Sequence, residues 1–81
     1  MAPKAQHEPH YLLLPALLRT MRKEAGMTQR QLGSRLGKPQ SWIHNCEVAN
    51  RRVDVTEFIR WAQACGVNPS EAFERVLRTI C

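Results

Sequence analysis

The chain has 81 residues, 12 of them basic and 7 acidic, for a net charge of +5, and 43% are hydrophobic; a domain of this size buries only about 60% of its unfolded surface, leaving room for one small core and no second module. Cysteines at positions 46, 65 and 81 make neither an even disulfide set nor a CxxC metal pair, and the longest apolar run, Tyr11 to Leu18, is broken by Pro15, far short of the roughly 18 residues a membrane span needs. No small-residue cleavage site follows that run, and His7, Glu8 and His10 stand where a basic leader would be, so the expectation is a reduced, cytoplasmic protein.

Residues 1–10 carry Pro3, Pro9 and scattered polar residues without periodicity, which predicts a flexible N-terminal arm ahead of a domain spanning 11–81. Leu14, Leu17, Leu18, Met21 and Ala25 then recur at helical spacing and stop at Gly26, a C-cap signal. Pro15 either opens this first helix or kinks one that began earlier. Thr28 with Gln31 forms a capping box for a second helix, whose apolar side is Leu32 and Leu36 and whose turn is Gly37. A third helix begins near Pro39 and runs to about Glu47, with Ile43 and Cys46 inward. Asp54 with Glu57 caps a fourth, lined by Val55, Phe58, Ile59, Ala62 and Cys65 and ended by Gly66. Asn68, Pro69 and Glu71 open a fifth, with Phe73, Val76, Leu77 and Ile80 apolar. The fold class that follows is all-α: a compact five-helix domain with no strand and no internal repeat.

The second and third helices, joined by a tight turn, read as a helix-turn-helix, the unit that lays its second helix in the major groove of DNA. Gly33 fits this geometry, because a small residue lets the two helix backbones approach. From Arg19 to Arg52 eight residues are basic and only Glu24 and Glu47 are acidic, so this stretch carries +6 and the rest of the chain −1. The positive charge is concentrated around the unit that would meet phosphates. Base edges are met by the outward face near the start of the third helix, which makes Gln40, Ser41, His44 and Asn45 the base-reading candidates. Gln40 and Asn45 are about 140° apart beyond one full turn, so they serve different base pairs, or one serves a phosphate. Arg51 and Arg52, where the chain leaves the groove, suit a phosphate grip or a narrow minor groove; Arg30, Arg35 and Lys38 are weaker candidates. Trp42 either packs against a neighbouring helix or donates its indole N–H to a phosphate. Neither His44 with Cys46 nor His7 with His10 has further partners at a structural-site spacing, so no metal and no cofactor is expected.

The series Thr28-Gln29, Leu32-Gly33, Leu36-Gly37, Pro39-Gln40-Ser41, Ile43 and Glu47 resembles the Cro/phage-repressor, or Xre-type, family over about Leu17 to Leu77. The resemblance implies a lambda-repressor-like DNA-binding domain. It also implies that Gln40, Ser41 and Asn45 read bases, that Gln29 holds a backbone phosphate, and that Arg22 and Glu47 form an internal salt bridge. The chain departs from the family pattern at Gly33, where alanine is usual, at His44 and Asn45, where serine and lysine are frequent, and at Ala49, where a glycine commonly ends the helix. At that helix end Asn50 in a left-handed conformation is the expected remedy.

The function these features predict is a sequence-specific DNA-binding transcriptional regulator: a dimeric repressor reading an inverted-repeat operator, with double-stranded DNA as partner. A restriction-modification controller, a phage switch or an antitoxin-type autoregulator would share this build, and a protein-interaction adaptor would share its fold without the basic cluster. No nucleophile–base pair, carboxylate dyad or phosphate loop points to an enzyme. One helix-turn-helix covers only a half-site, so a homodimer is expected, with Phe73, Val76, Leu77 and Ile80 as its interface and Trp61, or the turn between the fourth and fifth helices, at the edge.

Overall fold

The computed structural model describes residues 9–80, which form α1 (Pro9–Glu24), α2 (Gln29–Leu36), α3 (Gln40–Glu47), α4 (Val55–Ala64) and α5 (Pro69–Ile80), with no strand among the described residues. Helix α1 begins at Pro9, inside the stretch expected to be an arm, because a proline at a first helical position gives up an N–H that has no partner there anyway. The rest of that arm, 1–8, lies outside the described residues. Of the two readings of Pro15, the early start is the one realised: it sits within α1 and is buried.

Both capping boxes are formed. Thr28 Oγ1 accepts from the Gln31 N–H at 3.1 Å while Gln31 Oε1 accepts from the Thr28 N–H at 2.8 Å, and Asp54 and Glu57 do the same at 2.8 and 2.9 Å. These reciprocal bonds satisfy N–H groups that the first helical turn leaves unpaired. Asn68 Oδ1 accepts from the Ser70 N–H at 2.8 Å at the start of α5.

Helices α1 to α4 share one ending. The N–H groups of Met27, Lys38, Asn50 and Val67 donate back to Arg22, Gly33, Asn45 and Ala62 carbonyls at 3.2, 2.8, 2.9 and 2.9 Å. This bond needs a left-handed residue just before it, and Gly26, Gly37 and Gly66 supply three of the four. The fourth is Ala49 itself, at φ +64°, not Asn50. The expectation for Asn50 is therefore displaced by one residue. Ala49 is only 2% exposed, so the strain its Cβ brings, roughly 1–2 kcal/mol, is offset in part by methyl burial.

Helix α1 packs against α3, α4 and α5, α2 against α3 and α4, and α4 against α5. The core at their crossing comprises Leu18, Met21, Leu32, Ile43, Cys46, Phe58, Trp61 and Ala62, with Met27, Val53 and Ala72 around it. Trp61 is the largest fully buried side chain, and its Nε1 donates to the Leu18 carbonyl at 3.1 Å. It cannot lie at the edge of a dimer interface. A ring with one polar atom is accommodated in a core when that atom finds an acceptor, and α1 provides one. Cys46 is buried as expected, whereas Cys65 is only half-buried; burial still pushes its thiol up to about 11. Cys81 lies outside the described residues.

Gly33 sets the approach of α2 to α3 more tightly than a small-residue rule suggests. A Cβ at this position would lie 2.5 Å from the Lys38 carbonyl oxygen and 3.6 Å from Ile43. The obstacle is backbone, so even alanine requires the turn to shift.

Candidate nucleic-acid interface

Helix α3 has two unlike faces. Ile43, Cys46 and Glu47 are buried, while Gln40, Ser41 and His44 are exposed and Asn45 is half-buried. Gln40, Ser41 and His44 therefore share the outward side, and Asn45 lies at its edge. Asn45 is also tied to the helix exit: its carbonyl accepts from the Asn50 and Arg51 N–H groups at 2.9 and 3.3 Å, and its Oδ1 accepts from Asn50 Nδ2 at 3.4 Å.

A polar chain braces the inward side. Arg22 Nε and Nη2 donate to Glu47 Oε2 and Oε1 at 2.7 and 3.0 Å, and Arg22 Nη1 donates to the Met27 carbonyl at 2.8 Å. Both residues are 8% exposed, and a two-pronged, charge-assisted pair of this kind fixes orientation as well as adding energy. Gln29 Nε2 then donates to Glu47 Oε1 at 3.0 Å, and Gln40 Nε2 to Gln29 Oε1 at 2.6 Å. One connected network thus runs from α1 through the end of α3 to the start of α2 and out to the exposed Gln40. Among the described residues no buried side-chain nitrogen or oxygen lacks a partner.

Trp42 is half-buried, with its ring centroid 6.3 Å from that of Trp61. Lys38 Nζ and the Arg51 guanidinium lie 5.2 and 4.7 Å from its centroid. Trp42 thus couples packing to cation placement, and among the described residues no acceptor takes its indole N–H.

The ion pairs sort the basic stretch. Glu47 is neutralised by Arg22 and Glu24 pairs with Arg75 at 3.1 Å, so neither acid leaves a free negative charge beside α3. Arg51 is drawn inward by Glu57 at 3.3 Å and by Cys46 Sγ at 3.7 Å. Burial opposes its charge, but these hydrogen bonds outweigh that and hold its pKa above the ordinary value. Arg35 donates to the Ala64 carbonyl at 2.9 Å, a contact that finishes α4. Arg30, Lys38 and Arg52 remain exposed without a carboxylate partner among the described residues, as do Arg19 and Lys23 on α1.

Arg52 rests on Tyr11, 4.5 Å from its ring centroid, and Tyr11 Oη accepts from the Val53 N–H at 2.8 Å. Sequence reasoning did not single out Tyr11. Its partners lie more than 40 residues away, and no local pattern announces the contact.

An exposed polar helix held by its opposite face, beside unpaired cations and after a tight turn, defines a helix-turn-helix domain. The helix-turn-helix domain family matches this chain over residues 13–74. A solved structure described as an XRE-family like protein from Pseudomonas syringae pv. tomato str. DC3000 is similar at 36% identity with a TM-score of 0.82, covering 93% of this chain and 92% of that one. Comparison with curated proteins gives no match. The chain belongs to the helix-turn-helix family, of Xre type, whose members are DNA-binding regulators.

Proposed function

We propose that this protein is a sequence-specific transcriptional repressor that binds an inverted-repeat operator as a homodimer. The observation that carries this reading is the division of α3, with Gln40, Ser41 and His44 outward and Ile43, Cys46 and Glu47 locked inward. Side-chain amides at Gln40 and Asn45 make paired hydrogen bonds to adenine, and Ser41 and His44 read neighbouring edges. Arg30, Lys38 and Arg52 grip phosphates, with Gln29 and Trp42 completing the contact, while Arg51 stays paired with Glu57 beside them. Gln29 reaches the backbone from the start of α2 while still bonded to Gln40.

Apolar surface on α5 supports the dimer. Phe73 and Leu77 are exposed and Val76 is half-buried; the side chain of Ile80 lies outside the described residues. Two-fold pairing would set the recognition helices about 34 Å apart, one turn of DNA. Occlusion of a promoter by such a dimer is the simplest route to repression.

Titration of the protein onto a DNA duplex from its own upstream region, repeated at several salt concentrations, tests the reading. The logarithm of the binding constant should fall with the logarithm of salt, by a slope of about −0.9 for each phosphate neutralised. Binding that stays flat with salt would overturn it.

A further inference from the structure

Two adjacent arginines leave α3, and the structure gives them different surroundings. Arg51 is committed inward, ion-paired with Glu57 and stacked on Trp42. Arg52 is exposed, and its contact is the ring of Tyr11 in the first turn of α1. The backbone on either side of Arg52 is anchored. On one side the N–H groups of Asn50 and Arg51 converge on the Asn45 carbonyl, and on the other the Val53 N–H is held by Tyr11 Oη at 2.8 Å. One side chain, from an element outside the helix-turn-helix, thus fixes both the guanidinium and the main chain that carries it. A long side chain held in one place before binding loses less freedom when it meets a phosphate.

We propose that Tyr11 is a positioning residue for DNA-backbone binding, acting through Arg52. The proposal rests on the DNA-binding reading above and adds to it a contact that neither helix of the reading unit supplies. The ring directs the guanidinium, and the hydroxyl sets the path of the loop between α3 and α4. Helix α1 therefore takes part in the interface through Tyr11.

The test uses the full chain and a mixed-sequence DNA duplex, since phosphate contacts do not depend on base sequence. Affinity and its salt slope are measured for the wild type, Tyr11→Leu, Tyr11→Phe, Arg52→Ala and the Tyr11→Leu/Arg52→Ala double variant, with circular dichroism confirming helix content. Arg52→Ala should reduce the size of the slope by about 0.9, one phosphate's worth. Tyr11→Leu should weaken binding by about two- to fivefold, the effect of an exposed cation–π contact, and move the slope in the same direction. It should add nothing once Arg52 is alanine. Tyr11→Phe keeps the ring but releases the Val53 N–H, so its affinity should fall between those of the wild type and Tyr11→Leu. Equal losses from Tyr11→Leu in both backgrounds, alongside a normal wild-type slope, would overturn the role of Tyr11 and leave the DNA reading standing. An unchanged slope in Arg52→Ala would overturn it independently of how well Tyr11→Leu folds. A wild type whose binding ignores salt would remove the DNA reading itself, and this proposal with it.

Discussion

Around Glu47 the side chains of four residues close a network in which every buried polar atom is paired. Across α4 and α5, by contrast, Val55, Ile59, Phe73 and Leu77 stand 72%, 38%, 53% and 47% exposed. Val55, Ile59 and Phe73 border a groove of about 480 Å³ walled by Leu14, Val53, Phe58 and Val76 among others. The first region is internally complete; the second leaves apolar surface that the described residues do not cover. The contrast separates two tasks. On the proposed reading, holding α3 still is done within one chain, whereas doubling it would fall to association.

The largest effect should come from breaking the network. Glu47→Ala strands the buried Arg22 charge and frees Gln29, at a cost of about 3–5 kcal/mol, visible as a large fall in melting temperature before any DNA is added. A loss below about 1 kcal/mol would show that solvent replaces the carboxylate, and that this region is not the closed one described here. Changes on the opposite face should behave in the reverse manner. Phe73→Asp leaves the folded monomer within about 0.5 kcal/mol of wild type, as expected for an exposed site. It should weaken self-association by about 2 kcal/mol or more in analytical ultracentrifugation if Phe73 is an interface anchor. An unaltered dimer constant would move the interface elsewhere.

The α2–α3 turn offers a subtler probe. Gly33→Ala improves helix propensity by up to about 1 kcal/mol but drives a methyl toward the Lys38 carbonyl, and overpacking of this sort costs typically about 1–3 kcal/mol. The net expectation is mild destabilisation in a denaturant titration; a gain in stability would mean that the turn opens freely. Smallest of all should be Ala49→Gly. Relief of left-handed strain, about 1 kcal/mol, and loss of a buried methyl, about 0.8 kcal/mol, nearly cancel, so the unfolding midpoint should hardly move.

What could be read in the sequence follows the same division between local and distant contacts. Capping boxes at Thr28–Gln31 and Asp54–Glu57 lie within one helical turn, so their geometry is set by the residues that spell them. The outward placement of Gln40, Ser41 and His44 follows from the apolar positions between them. Family resemblance brought together Arg22 and Glu47, a pair 25 residues apart that spacing alone could not join. Trp61 was misplaced because a boundary residue on a helical wheel gives no hint that α1 will offer a carbonyl above it. Tyr11, Glu57 toward Arg51, and the Gln29–Gln40 bond depend on how helices cross, and crossing is a property of the assembled core. Ala49 shows a different limit: the hydrogen-bonding pattern of the helix end required a left-handed residue there, and the chain complied without a glycine.

Selection of bound sequences from a randomised DNA library, run in parallel with wild type and Gln40→Ala, tests the central claim most directly. The account predicts an inverted repeat for the wild type and, for the variant, relaxed preference at one symmetric pair of positions, a loss of about 1–3 kcal/mol in discrimination at each. An enriched sequence identical for both proteins, or no enriched sequence for the wild type, would contradict the assignment of α3 as the reading helix.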